Sequence, residues 1–197
     1  SDIAFTCIKN TLEAEKPDLV VLTGDIIYSA PADKNFRHVM EFISQYKIPF
    51  ALAFGNHDRE QGLSNAELLK IAREFPYCVA SDVENLTGDG NYTLEVKGGN
   101  DDKNKMILYF IDSNRGSLLE EQGVGGYDYI HLDQVNWYVE TSRTYTKQNG
   151  GTPLPALAFF HIPLPEYNLA AQNENTTLYG IRREKACSPE LNSGLFA

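Results

Sequence analysis

Cysteine is scarce in this chain and badly spaced for pairing. Cys7, Cys78 and Cys187 are odd in number, far apart and free of any CxxC spacing, which argues against a disulfide framework or a zinc knot and leaves buried or idle thiols as the reading. Long apolar runs are missing too: none approaches the roughly 20 residues of a membrane-spanning helix, so no membrane span is expected. Basic residues number 17 against 27 acidic ones, a formal net charge of -10. Without a basic stripe to meet phosphates, nucleic acid is not expected as the main partner. Neither a GxxxxGKS/T loop nor a GxGxxG turn occurs, which weakens the case for a nucleotide-binding α/β protein. No repeat or low-complexity linker interrupts the 197 residues, of which 42% are hydrophobic, enough for one sizeable core and a single domain over 1–197. No signal peptide opens the chain, which begins inside an apparent helix; its natural start is expected upstream, and compartment and oligomeric state are left open.

What is present is an alternation of amphipathic segments with short apolar runs. Ala4, Phe5, Ile8 and Leu12 form a stripe that predicts a helix over about 2–15 covering a sheet. The run 19–23 shows no polar alternation, the pattern of a strand buried on both faces, and stops at Gly24-Asp25. Phe36, Val39, Met40 and Ile43 share one face of a second helix, and a further buried run over 50–54 ends at Gly55-Asn56-His57-Asp58. Ser64 and Glu67 have capping-box spacing, so a helix should start there and run to about 75. Tyr92, Leu94 and Val96 alternate with polar neighbours, and the polar stretch 98–104 turns the chain into an apolar strand over 106–111 that ends at Asp112-Ser113. A helix over about 132–144, a buried strand over 157–160 ending at His161, and a helix opening at Ser188-Pro189-Glu190 complete the pattern. The expected fold is α/β, a layered α-β-β-α sandwich with mixed sheets.

Asp25, Asn56-His57, Asp112 and His161 each fall at the C-terminal edge of a predicted strand, where α/β sheets build their ligand sites. Asp25 offers two oxygens able to bridge a pair of cations, Asn56 an amide oxygen and His161 an imidazole nitrogen, an O/N set suited to Zn, Mn or Fe. Taken singly, each has a plainer reading: a turn cap, a left-handed turn, a structural histidine. Asp112-Ser113 could support the ligands or simply turn the chain, and His38 and His131 read as solvated or capping groups.

PDLVVLTGDIIY at 17–28, GNHD at 55–58 and FHIP at 160–163 stand in the order of the core motifs of the calcineurin-like metallophosphoesterase superfamily, which the chain resembles over about 17–165. The resemblance implies that Asp25 bridges two metals, that Asn56 and His161 ligate the second, and that His57 faces the substrate while Asp58 orients its ring. Tyr28, three residues after Asp25, matches the G-D-x-x-Y motif of the purple acid phosphatase branch, where the phenolate binds ferric iron; packing is its other reading. The family's opening D-x-H motif does not occur before Asp25, and its closing G-H-x-H motif does not follow His161. The expectation is a domain fragment that lacks those two segments, itself weakly active or inactive.

The implied chemistry is hydrolysis of a phosphate ester, on a small molecule or a phosphoprotein, by hydroxide generated between two divalent or mixed-valence Fe, Mn or Zn ions about 3.5–4 Å apart. His57 would assist the leaving oxygen. The alternative is a catalytically inactive fold that serves as a protein-binding scaffold; retention of Asn56 with His57-Asp58 speaks against it.

Overall fold

The computed structural model describes residues 2–196. Helix α1 (Asp2–Glu15) packs its Phe5 ring against Phe42 and His38, at centroid distances of 4.5 and 4.9 Å, and buries Leu12. Both ring partners belong to α2 (Ala32–Ser44), whose Phe36, Met40 and Ile43 recur at helical spacing and are fully buried. Strands β1 (Val20–Thr23) and β2 (Phe50–Ala53) pair in parallel, Val20 opposite Phe50 and Thr23 opposite Ala53. Every residue of β2 is buried, as its apolar run predicts. β1 departs from the expectation of two buried faces and is half-buried: it is one edge of a two-stranded sheet, whereas the far edge of β2 is met by segment 77–79, with Phe50 N–H donating to the Tyr77 carbonyl at 2.8 Å and Val79 N–H to the Phe50 carbonyl at 2.9 Å.

Helix α3 (Asn65–Ala72) starts with both halves of the capping box, Glu67 N–H donating to Ser64 Oγ at 3.2 Å and Ser64 N–H to Glu67 Oε2 at 2.8 Å. Its regular hydrogen bonding ends at 72, short of the expected 75, and the chain turns through 73–75 instead.

The second sheet has the order β3 (Tyr92–Lys97), β4 (Asn104–Phe110), β5 (Ala156–Phe159); β3–β4 is the antiparallel hairpin and β4–β5 is parallel, so the sheet is mixed. Tyr92 ties the sheets together, its hydroxyl donating to the Leu52 carbonyl at 2.9 Å and accepting from the Leu52 N–H at 3.0 Å. Its ring stacks on Phe110 at 4.5 Å, and Phe110 on Phe159 at 5.0 Å, which builds the core between them. Burial of the Tyr92 hydroxyl pushes its pKa far above the ordinary phenol value.

β5 corrects a second burial expectation. Its apolar run reads as interior, yet Leu157 is 51% exposed, since β5 pairs only with β4 among the described residues. The exposed strand borders a groove of about 400 Å³ lined by apolar side chains that include Tyr109, Phe160, Tyr167 and Phe196.

Helix α4 (Leu132–Gln148) runs one turn beyond the expected 144, and α5 (Glu166–Gln172) is an element the pattern did not announce. The helix expected at Ser188 does not form. Ser188 Oγ instead accepts from Asn168 Nδ2 at 3.3 Å, and the Asn192 side chain accepts from Gly194 N–H at 2.9 Å, a local turn that competes with a helix. No described helix is long and apolar enough to cross a membrane. Cys7 and Cys187 are exposed free thiols rather than buried ones; Cys78 is half-buried, and burial raises its pKa.

Candidate metal centre

Three of the four expected strand ends meet at one point. After β1 the chain turns through Gly24 (φ 93°) and Asp25 (φ 52°). A side chain at Gly24 would lie 2.6 Å from Gly55 N and 2.6 Å from His161 Nδ1, so the close approach of the three segments requires glycine there. A side chain at Gly55 would strike the Asp25 carboxylate and backbone.

Asp58 holds this junction together. Its Oδ2 accepts the N–H groups of Asp25 at 3.0 Å and Gly55 at 2.7 Å, and its Oδ1 those of Ile26 at 2.6 Å and Ile27 at 3.0 Å. All four acceptor sites of the buried carboxylate are thereby used, and the backbone bearing Asp25 is clamped to the end of β2. Desolvation raises the Asp58 pKa above its ordinary value, against the pull of these amides. The role expected for Asp58, orienting the His57 ring, therefore does not match its hydrogen bonds.

Asp25 and His161 face one another, with Oδ2 3.3 Å from Nε2. The other ring nitrogen, Nδ1, lies 2.8 Å from the Thr23 carbonyl, which can only accept, so Nδ1 carries the proton. Nε2 is then either the bare nitrogen of a neutral ring or bears a second proton aimed at the carboxylate. In the first case the gap suits a cation, in the second the ring's own proton fills it, and an imidazole held by Nδ1–H on a carbonyl is the usual state of a metal-ligating histidine. Asp25 Oδ1 meanwhile accepts His57 N–H at 3.1 Å. Asn56 is half-buried beside these groups in sequence. The donor chemistry suits a cation, but among the described residues no cluster of three or more His, Cys, Asp or Glu side chains is close enough to hold one.

His57 sits next to two groups that the motif did not name together. Glu60 Oε2 is 2.8 Å from Nδ1, off the line of an aligned hydrogen bond, and the Tyr28 ring stands edge-on at a centroid distance of 4.8 Å. Glu60 is the main cause that raises the His57 pKa above its ordinary value. Tyr28 is otherwise 68% exposed.

Asp112 is not part of this cluster of contacts. Its buried carboxylate accepts the N–H groups of Asp89 at 2.9 Å and Asn114 at 2.8 Å, and burial raises its pKa. Ser113, its neighbour, does support the site: Ser113 Oγ accepts Ile162 N–H at 2.8 Å and so anchors the residue after His161. Gln134 of α4 fixes that strand end, its Nε2 donating to the Asp112 carbonyl at 2.7 Å and to Asn91 Oδ1 at 2.9 Å. Of the other histidines, His131 pairs with buried Asp128 at 2.9 Å and stacks on Tyr129, and exposed His38 meets Phe5. Glu60, Ser113 and Gln134 were not legible as a set. Ser113 carried one signal, its place beside Asp112 at a strand end, and Glu60 another, an acid three residues after a histidine in a turn; Gln134 carried none.

Strands of an α/β fold deliver a GD, a GNHD and an FHIP segment to one junction. The chain belongs to the calcineurin-like phosphoesterase family, whose sequence profile matches residues 3–182. It is 30% identical over its whole length to "Probable inactive purple acid phosphatase 14" of Arabidopsis thaliana, covering 53% of that protein, and 33% identical to "Probable inactive purple acid phosphatase 29" of the same plant, covering 54%. It is also 33% identical over 95% of its length to "Phosphatase DCR2" of Saccharomyces cerevisiae, covering 34% of it. The chain spans about half the length of the two plant relatives.

Proposed function

We propose that this chain is the central part of a metal-dependent phosphoesterase that hydrolyses phosphate esters, with Asp25, Asn56 and His161 as cation ligands and His57 as the group that meets the leaving oxygen. The carrying observation is the pair Asp25 Oδ2 and His161 Nε2, 3.3 Å apart, with the proton of the imidazole held on the opposite nitrogen by the Thr23 carbonyl. Divalent or mixed-valence Fe, Mn or Zn ions bound there would lower the pKa of water and polarise the phosphate oxygens. The protein's own groups supply the rest. Thr23 keeps Nε2 of His161 available, Asp58 keeps the Asp25 backbone against Gly55, and His57 gives a proton to the leaving alkoxide or balances its charge, for a gain of about 10²- to 10⁴-fold.

The further donors, a D-x-H and a G-H-x-H segment, are proposed to come from sequence outside residues 1–197. The greater length of the plant relatives and the lack of a three-donor cluster among the described residues support that reading. The substrate is a small-molecule phosphate ester or a phosphoprotein.

The names of the two plant relatives favour a second reading, an inactive fold kept as a binding scaffold, whereas the name of the yeast relative favours catalysis. Elemental analysis and an aryl phosphate assay on the full-length natural protein separate them. Asp25→Asn and His161→Ala should each lose metal and turnover together, and His57→Ala should lose turnover while keeping metal. A full-length protein that binds no metal and has no turnover is the scaffold. Tyr28 as a ferric ligand predicts a visible charge-transfer band that Tyr28→Phe abolishes; a colourless, fully metallated protein removes that role.

A further inference from the structure

The geometry points to Glu60 as the residue that orients the His57 imidazole, with the Tyr28 ring bracing it edge-on. This rests on the catalytic reading of His57 given above, but the arrangement itself is a matter of contacts. Asp58, adjacent to His57 in sequence, has no acceptor capacity left, since its four sites hold the N–H groups of Asp25, Ile26, Ile27 and Gly55. Glu60 is brought to the histidine by the turn that follows it: Glu60 N–H donates to the His57 carbonyl at 3.0 Å, which sets the two side chains on the same side. Its Oε2 comes to 2.8 Å from Nδ1, a nitrogen that is itself buried and has no aligned hydrogen bond. A small rotation of either group completes the bond.

Two further contacts restrict the ring. The His57 backbone N–H is held on Asp25 Oδ1 at 3.1 Å, so its Cα is fixed relative to the candidate ligand. The Tyr28 ring meets the imidazole at 85°, which limits rotation about the side-chain bonds. With Nδ1 turned to Glu60, Nε2 is the nitrogen left for a substrate oxygen. A base or acid whose far nitrogen is held by a carboxylate has one tautomer and one orientation, the arrangement proton transfer needs.

The test uses the full-length protein labelled with ¹⁵N at histidine, with the His57 ring assigned from His57→Ala, and reads the two ring nitrogens at a fixed alkaline pH. Glu60 is exposed, so its replacement leaves the fold intact. In the wild type Nδ1 carries the proton; Glu60→Ala shifts the ring toward the Nε2–H form, and Glu60→Gln, whose amide oxygen still accepts, retains the wild-type pattern. In the metallated protein kcat falls about 10- to 100-fold in Glu60→Ala at unchanged KM and metal content, and Glu60→Gln restores most of it. A Glu60→Ala spectrum identical to the wild type overturns the assignment, as does a changed spectrum with unchanged kcat. The ring spectrum needs no turnover, so an inactive protein with the expected tautomer shift would remove the catalytic reading of His57 and leave the pairing standing.

Discussion

Asp58 accepts no hydrogen bond from His57 and instead gathers the backbone of Asp25, whose N–H it accepts at 3.0 Å, onto the end of the second strand. The carboxylate is a structural rivet between two loops that approach too closely for any side chain but hydrogen at Gly24 and Gly55. Site geometry in this protein therefore depends on the acid next to the histidine more than on the histidine itself.

Asp58→Asn should destabilise the fold. An amide has one oxygen where the carboxylate has two, so buried N–H groups lose their acceptor, and each such loss costs about 1–3 kcal/mol. Urea denaturation should show the unfolding free energy falling by this amount, with metal content and turnover lost together. Wild-type stability in a variant that loses turnover alone would return Asp58 to a role in catalysis.

Gly55→Ala tests the junction from the other side. Gly55 has no positive φ, so the added methyl acts by collision with the Asp25 carboxylate rather than by backbone strain. Overpacking of this kind costs about 1–3 kcal/mol. Metal affinity should fall more than stability does, because the group displaced is the candidate ligand; unchanged affinity by titration calorimetry would separate Asp25 from the metal.

Ser113→Ala removes the acceptor of Ile162 N–H, one residue beyond His161. The expected loss is about 1 kcal/mol of stability. Because the bond positions the candidate ligand His161 from behind, metal affinity should fall about 10-fold. An affinity equal to the wild type, with stability reduced, would make the bond a turn support only.

Ser64→Ala probes a feature far from the chemistry and should cost about 1 kcal/mol through loss of the α3 cap. The Ser64 backbone N–H and hydroxyl hold the Glu67 carboxylate below its ordinary pKa. Stability from a depressed carboxylate is present above its unfolded pKa and lost as pH falls through the folded one. The difference between wild type and variant, read from urea denaturation, is therefore full at neutral pH and shrinks in acid; a constant difference would mean that the Ser64 hydroxyl does not stabilise the Glu67 carboxylate.

Much of the architecture was legible along the chain because it is set by near neighbours. Helical stripes such as Phe36, Met40 and Ile43, the Ser64 and Glu67 cap, and the hairpin from Tyr92 all depend on contacts within an element or between adjacent ones. The strand-end positions of Asp25, His57 and His161 were likewise visible, since apolar runs stop where the strands stop. Burial of whole strands was not. Val20 to Thr23 and Ala156 to Phe159 are nearly as apolar as the buried strand Phe50 to Ala53, and composition does not say which of them the rest of the chain covers.

By itself, the order of residues determined most of the elements, the family and the shortlist of polar groups at the sheet edge, though not α5 or the turn at Ser188. Tertiary structure alone decided their partners: the Asp58 carboxylate goes to backbone amides 31 to 33 residues away, Ser113 anchors the segment of His161, and Glu60 stands beside His57. The reason is that periodicity records which face of an element is apolar, whereas a carboxylate's partner depends on which loops the closed sheets bring within 3 Å of it.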